Sequence, residues 1–224
     1  MKPQGSRWAV AVGCALVVAG LSARAFAADP AAPTCIGVGP GSALWIEGTS
    51  NVHDFESRTT SLRVTFICES GRPAPATAAD LEALVRASGV RTVTVQVPVT
   101  TLHSGKSGLD KNLWQDLRAD QHPSVEVELS HATLTAGADD TTEIHAEGVL
   151  RIAGQERPAT LVARVHRAAD GLWLDGSQRL KMTDFGIKPR TMMLGTLRVH
   201  DQVTVRYHVL LVPAGTATGT HTAQ

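Results

Sequence analysis

The stretch Arg91-Thr92-Val93-Thr94-Val95-Gln96-Val97-Pro98-Val99-Thr100-Thr101-Leu102 alternates apolar and polar residues with a period of two. Successive side chains of an extended chain point to opposite faces. Val93, Val95, Val97 and Val99 therefore share one face, and Thr92, Thr94, Gln96 and Pro98 share the other. That is the signature of a half-buried strand in an antiparallel sheet with one wet face.

The pattern recurs on both sides of this stretch. Ser124 to Thr133 sets Val125, Val127 and Leu129 against Glu126 and Glu128, and the run from Val203 to Leu211 sets Val203, Val205, Tyr207 and Val209 against Thr204, Arg206 and His208. Weaker runs cover Ala43 to Val52, Thr59 to Cys68, Thr142 to Ala153, Pro158 to Arg167 and Leu172 to Met182. Turn residues lie between them, as at Gly154-Gln155, Asp170-Gly171 and Gly105 to Gly108. Eight strands suit a closed antiparallel barrel or a two-sheet sandwich, and closure removes exposed edges. Two segments break the period. Ala79 to Ala87 carries Leu81, Leu84 and Val85 on one helical face, with Asp80 and Glu82 in its first turn. Leu109 to Leu117 carries Leu109, Leu113, Trp114 and Leu117, preceded by Ser107-x-x-Asp110, a capping-box pattern.

The termini read differently. Lys2 and Arg7 precede an uncharged apolar run from Trp8 to Leu21, and Ala25-Phe26-Ala27 supplies a small-x-small site, so residues 1–27 read as a secretory signal peptide cleaved after Ala27. The run is shorter than the roughly 20 apolar residues a membrane span needs, so no stable span is expected. Residues 28–41 read as a flexible leader, 42–212 as one folded domain, and 213–224 as a disordered tail. Cleavage changes the composition: 21 basic and 21 acidic side chains become 18 and 21, a net charge of −3. It also removes Cys14 and leaves Cys35 and Cys68, able to pair in the periplasm or outside the cell, where disulfides persist. A buried thiol at Cys68 with a disordered Cys35 is the alternative.

Several functions are disfavoured on these grounds. Dispersed, nearly balanced charge argues against a nucleic-acid partner, which calls for a basic patch. An outer-membrane barrel needs an apolar exterior with aromatic girdles, whereas the faces opposite the valines carry Glu, Arg, His and Thr. Ser50, His53 and Asp54 are the residue types of a hydrolase triad, but they crowd one turn and no Gly-x-Ser-x-Gly elbow is present. The histidines lack His-x-x-x-His and the cysteines Cys-x-x-Cys ligand spacing. No catalytic group, metal or required cofactor is expected.

An ordered set of segments resembles the YceI-like, polyisoprenoid-binding family of exported bacterial proteins. It comprises Trp45 to Phe55, Leu102-His103-Ser104-Gly105, Leu109-Asp110-Lys111-Asn112-Leu113, His122 to Val127, Gly148-Val149-Leu150-Arg151-Ile152-Ala153-Gly154 and Met182-Thr183-Asp184-Phe185-Gly186-Ile187. The chain departs from the family at Thr49 to Phe55, as a divergent subgroup does. The Ala79 to Ala87 helix and the cysteine pair are not general family features. The resemblance implies an all-β, eight-stranded, antiparallel, lipocalin-like barrel with one or two short helices, holding a long isoprenoid or quinone-type lipid inside. Such a protein would be a non-enzymatic carrier, monomeric or homodimeric.

Eight strands can either be filled by side chains or hold one small ligand, and the low aromatic content here favours room. Val93, Val95, Val97, Val127 and Leu129 are inward by alternation, as pocket wall or as plain core. Leu113, Trp114 and Leu117 either close the mouth or simply pack the helix on the barrel, and Phe185, Ile187, Met192 and Met193, which flank Gly186 and Pro189, form either a mobile apolar entrance or a loop anchored by Phe185. Lys188 and Arg190 lie beside it, either as solvated charges or facing a lipid's polar end. The alternative function is an envelope-stress or interaction protein with a filled barrel that binds a protein partner.

Overall fold

A computed structural model describes residues 35–136, 142–192 and 196–214. In chain order the elements are β1 (Ile36–Val38), β2 (Ala43–Ser50), β3 (Asp54–Thr59), β4 (Arg63–Cys68), α1 (Ala78–Arg86), β5 (Val90–Pro98), α2 (Ser107–Asp116), β6 (Ser124–Ala136), β7 (Thr142–Ile152), β8 (Gln155–Arg167), β9 (Leu172–Lys181), β10 (Thr191–Met192) and β11 (Leu197–Pro213). They form one curled antiparallel sheet in the order β3-β2-β11-β9-β8-β7-β6-β5-β4, with β1 and β10 added to β11. The expected barrel class holds, and the physical reason is the alternation: inward rows such as Val64, Val95, Val127 and Leu150 run unbroken from strand to strand.

The two ends of the sheet, β3 and β4, are successive in the chain and are not paired with each other. The seam between them is closed by other means. Arg58 of β3 pairs with Trp45 of β2 on one side and with His103 on the other, where Arg58 N–H donates to the His103 carbonyl at 2.8 Å and receives the return bond at 3.0 Å. The Thr59 and Thr101 hydroxyls meet beside it at 2.8 Å. Farther along, the Cys35–Cys68 disulfide, with Cα atoms 6.3 Å apart, ties β4 to the segment that starts β1.

Three sequence expectations change. The leader is not flexible over its whole length, since Ile36–Val38 pairs with Leu211–Pro213 and Ile36 is fully buried. Strand β3 was not among the eight runs, because its inward positions include Ser57 and Thr59, which leave no apolar face to recognise. The α2 capping box does not form: Lys106 is the N-cap without a side-chain bond, and the Asp110 carboxylate instead accepts from Ser104 N–H and Oγ at 2.7 and 2.6 Å, which lowers its pKa. A capping box does form on α1, between Thr77 and Asp80. Residues 1–34 and 215–224, the expected signal peptide and most of the leader and tail, lie outside the described residues.

A bulge in β6 resets its alternation after Leu129, so that Ser130 and Ala132 turn inward beyond it. Gly148 of β7 permits this, because a Cβ there would stand 1.9 Å from the Glu128 carbonyl oxygen. The helices occupy opposite ends of the barrel, since α1 leads into the start of β5 and α2 follows its end. Leu81 and Leu84 of α1 pack with Ile36, Phe66, Leu172 and Leu211. Leu117, just after α2, packs with Val99, Leu102, Ile152, Phe185 and Ile187.

Candidate functional site

The inward rows enclose a cavity of about 390 Å³ whose lining extends from Val85 and Ser88 at the α1 end to Leu113, Leu117 and Ile187 at the α2 end. Binding pockets for small molecules typically span about 300–1,000 Å³, so the interior has the capacity of a site. Val93, Val95, Val127 and Leu129 line it and are only half-buried, because their exposed surface faces the lumen and not bulk solvent. Val97 also lines it and is buried. The barrel is thus not filled, which removes the premise of the filled-barrel interaction protein.

Two glycines help to keep the bore open. A Cβ on Gly176 would lie 2.3 Å from Tyr207 Oη, and one on Gly48 would lie 2.2 Å from Phe55 Cζ. The rings of Tyr207 and Phe55 lie over these positions, flat against the wall and not across the lumen. Tyr207 reaches past Gly176 of β9 to donate its hydroxyl to the Val162 carbonyl of β8 at 3.0 Å.

Burial pushes the Tyr207 phenol up to about 12. An unfolded tyrosine ionises near 10, so above that pH the unfolded chain releases a proton that the folded chain retains, and stability falls until the folded group also ionises. Between about pH 9 and about pH 11.5 the wild-type protein should lose roughly 2 kcal/mol more than Tyr207→Phe, as read by urea unfolding. Equal losses in the two proteins would show that the phenol titrates normally.

The α2 end differs in detail from the expected mouth. Leu113 and Leu117 line the cavity, but Trp114 does not. Its Nε1 donates to the Leu102 carbonyl at 3.1 Å and its ring meets the edge of His103 at 5.7 Å, so it fastens α2 to the segment after β5. Phe185 and Ile187 line the cavity yet are 3% and 8% exposed, within the cluster that plugs this end. They are anchors, not parts of a mobile entrance. Arg190 reinforces the plug. Its Nε donates to Asp116 Oδ2 at 2.6 Å, and its Nη2 donates to the Asn112 carbonyl at 3.1 Å and Gln115 Oε1 at 3.2 Å. Lys188 is exposed and away from the cavity. Met192 lies in β10 with its backbone opposite Leu197, while its side chain and all of Met193 lie outside the described residues.

Ser50 serves the β2–β3 turn: its Oγ donates to the His53 carbonyl at 2.7 Å and accepts from Val52 and His53 N–H. Its proton is not directed at an imidazole. Among the described residues no three His, Cys, Asp or Glu side chains converge as a metal site would require, and no helix is long and apolar enough to cross a membrane.

The wall extends beyond the valines of β5 and the inward residues of β6. Val203, Val205, Val209, Leu174 and Leu180 also face the lumen, and the alternation of β11 had already placed its valines on one face. Ser57 and Gln178 could not be found that way, because polar residues on an apolar face break the very pattern that assigns the face.

The YceI-like domain family matches residues 49–211. No curated protein matches the chain. Among solved structures, the polyisoprenoid binding domain from Saccharophagus degradans implicated in plant cell wall breakdown is similar, with a TM-score of 0.59 and 12% identity over 81% of this chain and 99% of that one. Burkholderia cenocepacia BcnA is similar with a TM-score of 0.56 and 14% identity over 76% of this chain and 96% of that one.

Proposed function

This chain belongs to the YceI-like domain family, and from that premise we propose that it is an exported carrier that sequesters a long isoprenoid-type amphiphile, polyprenyl or quinone-like, inside its barrel. The observation that carries the reading is the cavity itself: an apolar lumen running from one helix-capped end to the other, with inward valines left half-buried around it. Burial contributes about 0.8 kcal/mol per methylene, so an extended chain gains affinity without any catalytic group. The similar domain from Saccharophagus degradans, described as polyisoprenoid binding, supports the same ligand class. The Cys35–Cys68 disulfide supports export after cleavage at Ala27, since such bonds persist outside the cytosol.

Mass spectrometry of an organic extract from the purified protein tests this directly. The expected result is an isoprenoid-type lipid at near-stoichiometric yield from protein made in an exporting bacterial host. Repeated preparations with no lipid, which also fail to take up added prenols, would end the carrier reading.

A further inference from the structure

We infer that the mid-barrel wall carries a headgroup subsite, formed by Ser57, Gln178 and Tyr207, that selects an uncharged amphiphile bearing a hydrogen-bond donor, such as an alcohol or phenol. The inference rests on the carrier reading and narrows its ligand. Ser57 of β3, Ile46 of β2, Val205 of β11 and Gln178 of β9 form one register row across four neighbouring strands. All four residues line the cavity. Tyr207 is the next inward position after Val205, diagonal to Gln178 across the β11–β9 pair. Two polar side chains thus stand in this row and Tyr207 in the next, while the row on the other side carries Phe55, Gly48, Val203 and Leu180.

Their hydrogen bonds define what they can still accept or donate. Tyr207 spends its proton on the Val162 carbonyl at 3.0 Å, which leaves the phenol oxygen as an acceptor. Gln178 Nε2 donates to the Arg179 carbonyl at 3.3 Å, which fixes the amide so that Oε1 is the free acceptor. Ser57 is 6% exposed, and its hydroxyl has no partner among the described residues. Among the described residues no buried side-chain oxygen lacks a hydrogen-bond partner, so this hydroxyl is open to the lumen, where a ligand can reach it. The subsite therefore offers two acceptors and one hydroxyl. A ligand O–H can donate to Gln178 or Tyr207 and accept from Ser57.

An anionic headgroup has no counter-charge at this level. The basic cavity-lining residues lie at the ends: His53 in the β2–β3 turn, Arg91 at the start of β5, Lys181 at the end of β9, and Arg190, which is already bound to Asp116. A phosphate in the middle row would be desolvated without compensation.

The test compares geranylgeraniol, its monophosphate ester and an isoprenoid hydrocarbon of matched length, each displacing a fluorescent polyene from delipidated protein. Wild-type protein should bind the alcohol about tenfold more tightly than the other two, the scale of one or two net hydrogen bonds. In Gln178→Leu and Ser57→Ala that margin over the hydrocarbon should shrink to about threefold or less, while retained hydrocarbon binding reports an intact barrel. Tightest binding of the phosphate, or a margin unchanged in both variants, overturns the subsite and leaves the carrier standing. Failure of all three lipids to bind wild-type protein refutes the carrier and the subsite together.

Discussion

Protein carrying Val95→Glu should purify without lipid, whereas Thr94→Glu, with the same change of charge one residue away, should keep it. Val95 faces the lumen in the row Val64, Val95, Val127 and Leu150. A carboxylate placed there meets apolar wall, and an occupying hydrocarbon chain would strip its water. Desolvating a carboxylate costs several kcal/mol, so affinity should drop roughly a hundredfold or more. Thr94 lies on the outer face between Thr65 and Glu128. A glutamate opposite Glu128 adds a like-charge contact costing up to about 1 kcal/mol of stability, but it leaves the lumen untouched. Lipid content by mass spectrometry, alongside circular dichroism of both variants, makes the comparison. Equal loss of lipid from two folded variants would contradict the assignment of faces.

Reduction of the disulfide, or the paired change Cys35→Ser with Cys68→Ser, should lower unfolding free energy by about 4 kcal/mol on the chain-entropy argument. The cysteines are 33 residues apart in sequence, and they cross the place where the sheet path has its two ends. Strand β1 is only three residues long, so without the covalent link it is held to β11 by a short ladder and to β4 by packing alone. For a domain of this size the loss corresponds to a fall in Tm on the order of 10 °C. Thermal unfolding with and without dithiothreitol measures it. A shift under about 2 °C would mean that the Arg58–His103 bridge and the Ile36 cluster close the seam unaided.

The outline of the barrel was legible because strand faces are a local property. Each of Val93, Val95, Val97, Val125, Val127 and Val205 declares its side through its neighbours two residues away, and the sheet places them accordingly. The family resemblance supplied the closure that alternation alone left open between barrel and sandwich. Where alternation is broken by polar inward residues, as in β3, or reset by a bulge, as after Leu129, the local signal failed. Helical faces were legible only as stripes. The stripe of α2 includes both Leu113, on the cavity, and Trp114, hydrogen-bonded to the Leu102 carbonyl. One turn of helix cannot tell a wall from an anchor, because both are apolar burials.

Local sequence suffices to say which residues of each main strand turn away from water and that two short helices interrupt the strands. That the interior stays open follows from contacts between distant strands. Lumen volume depends on how the sheet curls, on two aromatic rings lying over Gly48 and Gly176, and on the seam being tied at Arg58 and Cys68. These are distances between residues far apart in the chain, and no periodicity of one strand contains them. The same closure set Ser57 and Gln178 in one row of the wall and left one hydroxyl there without a partner.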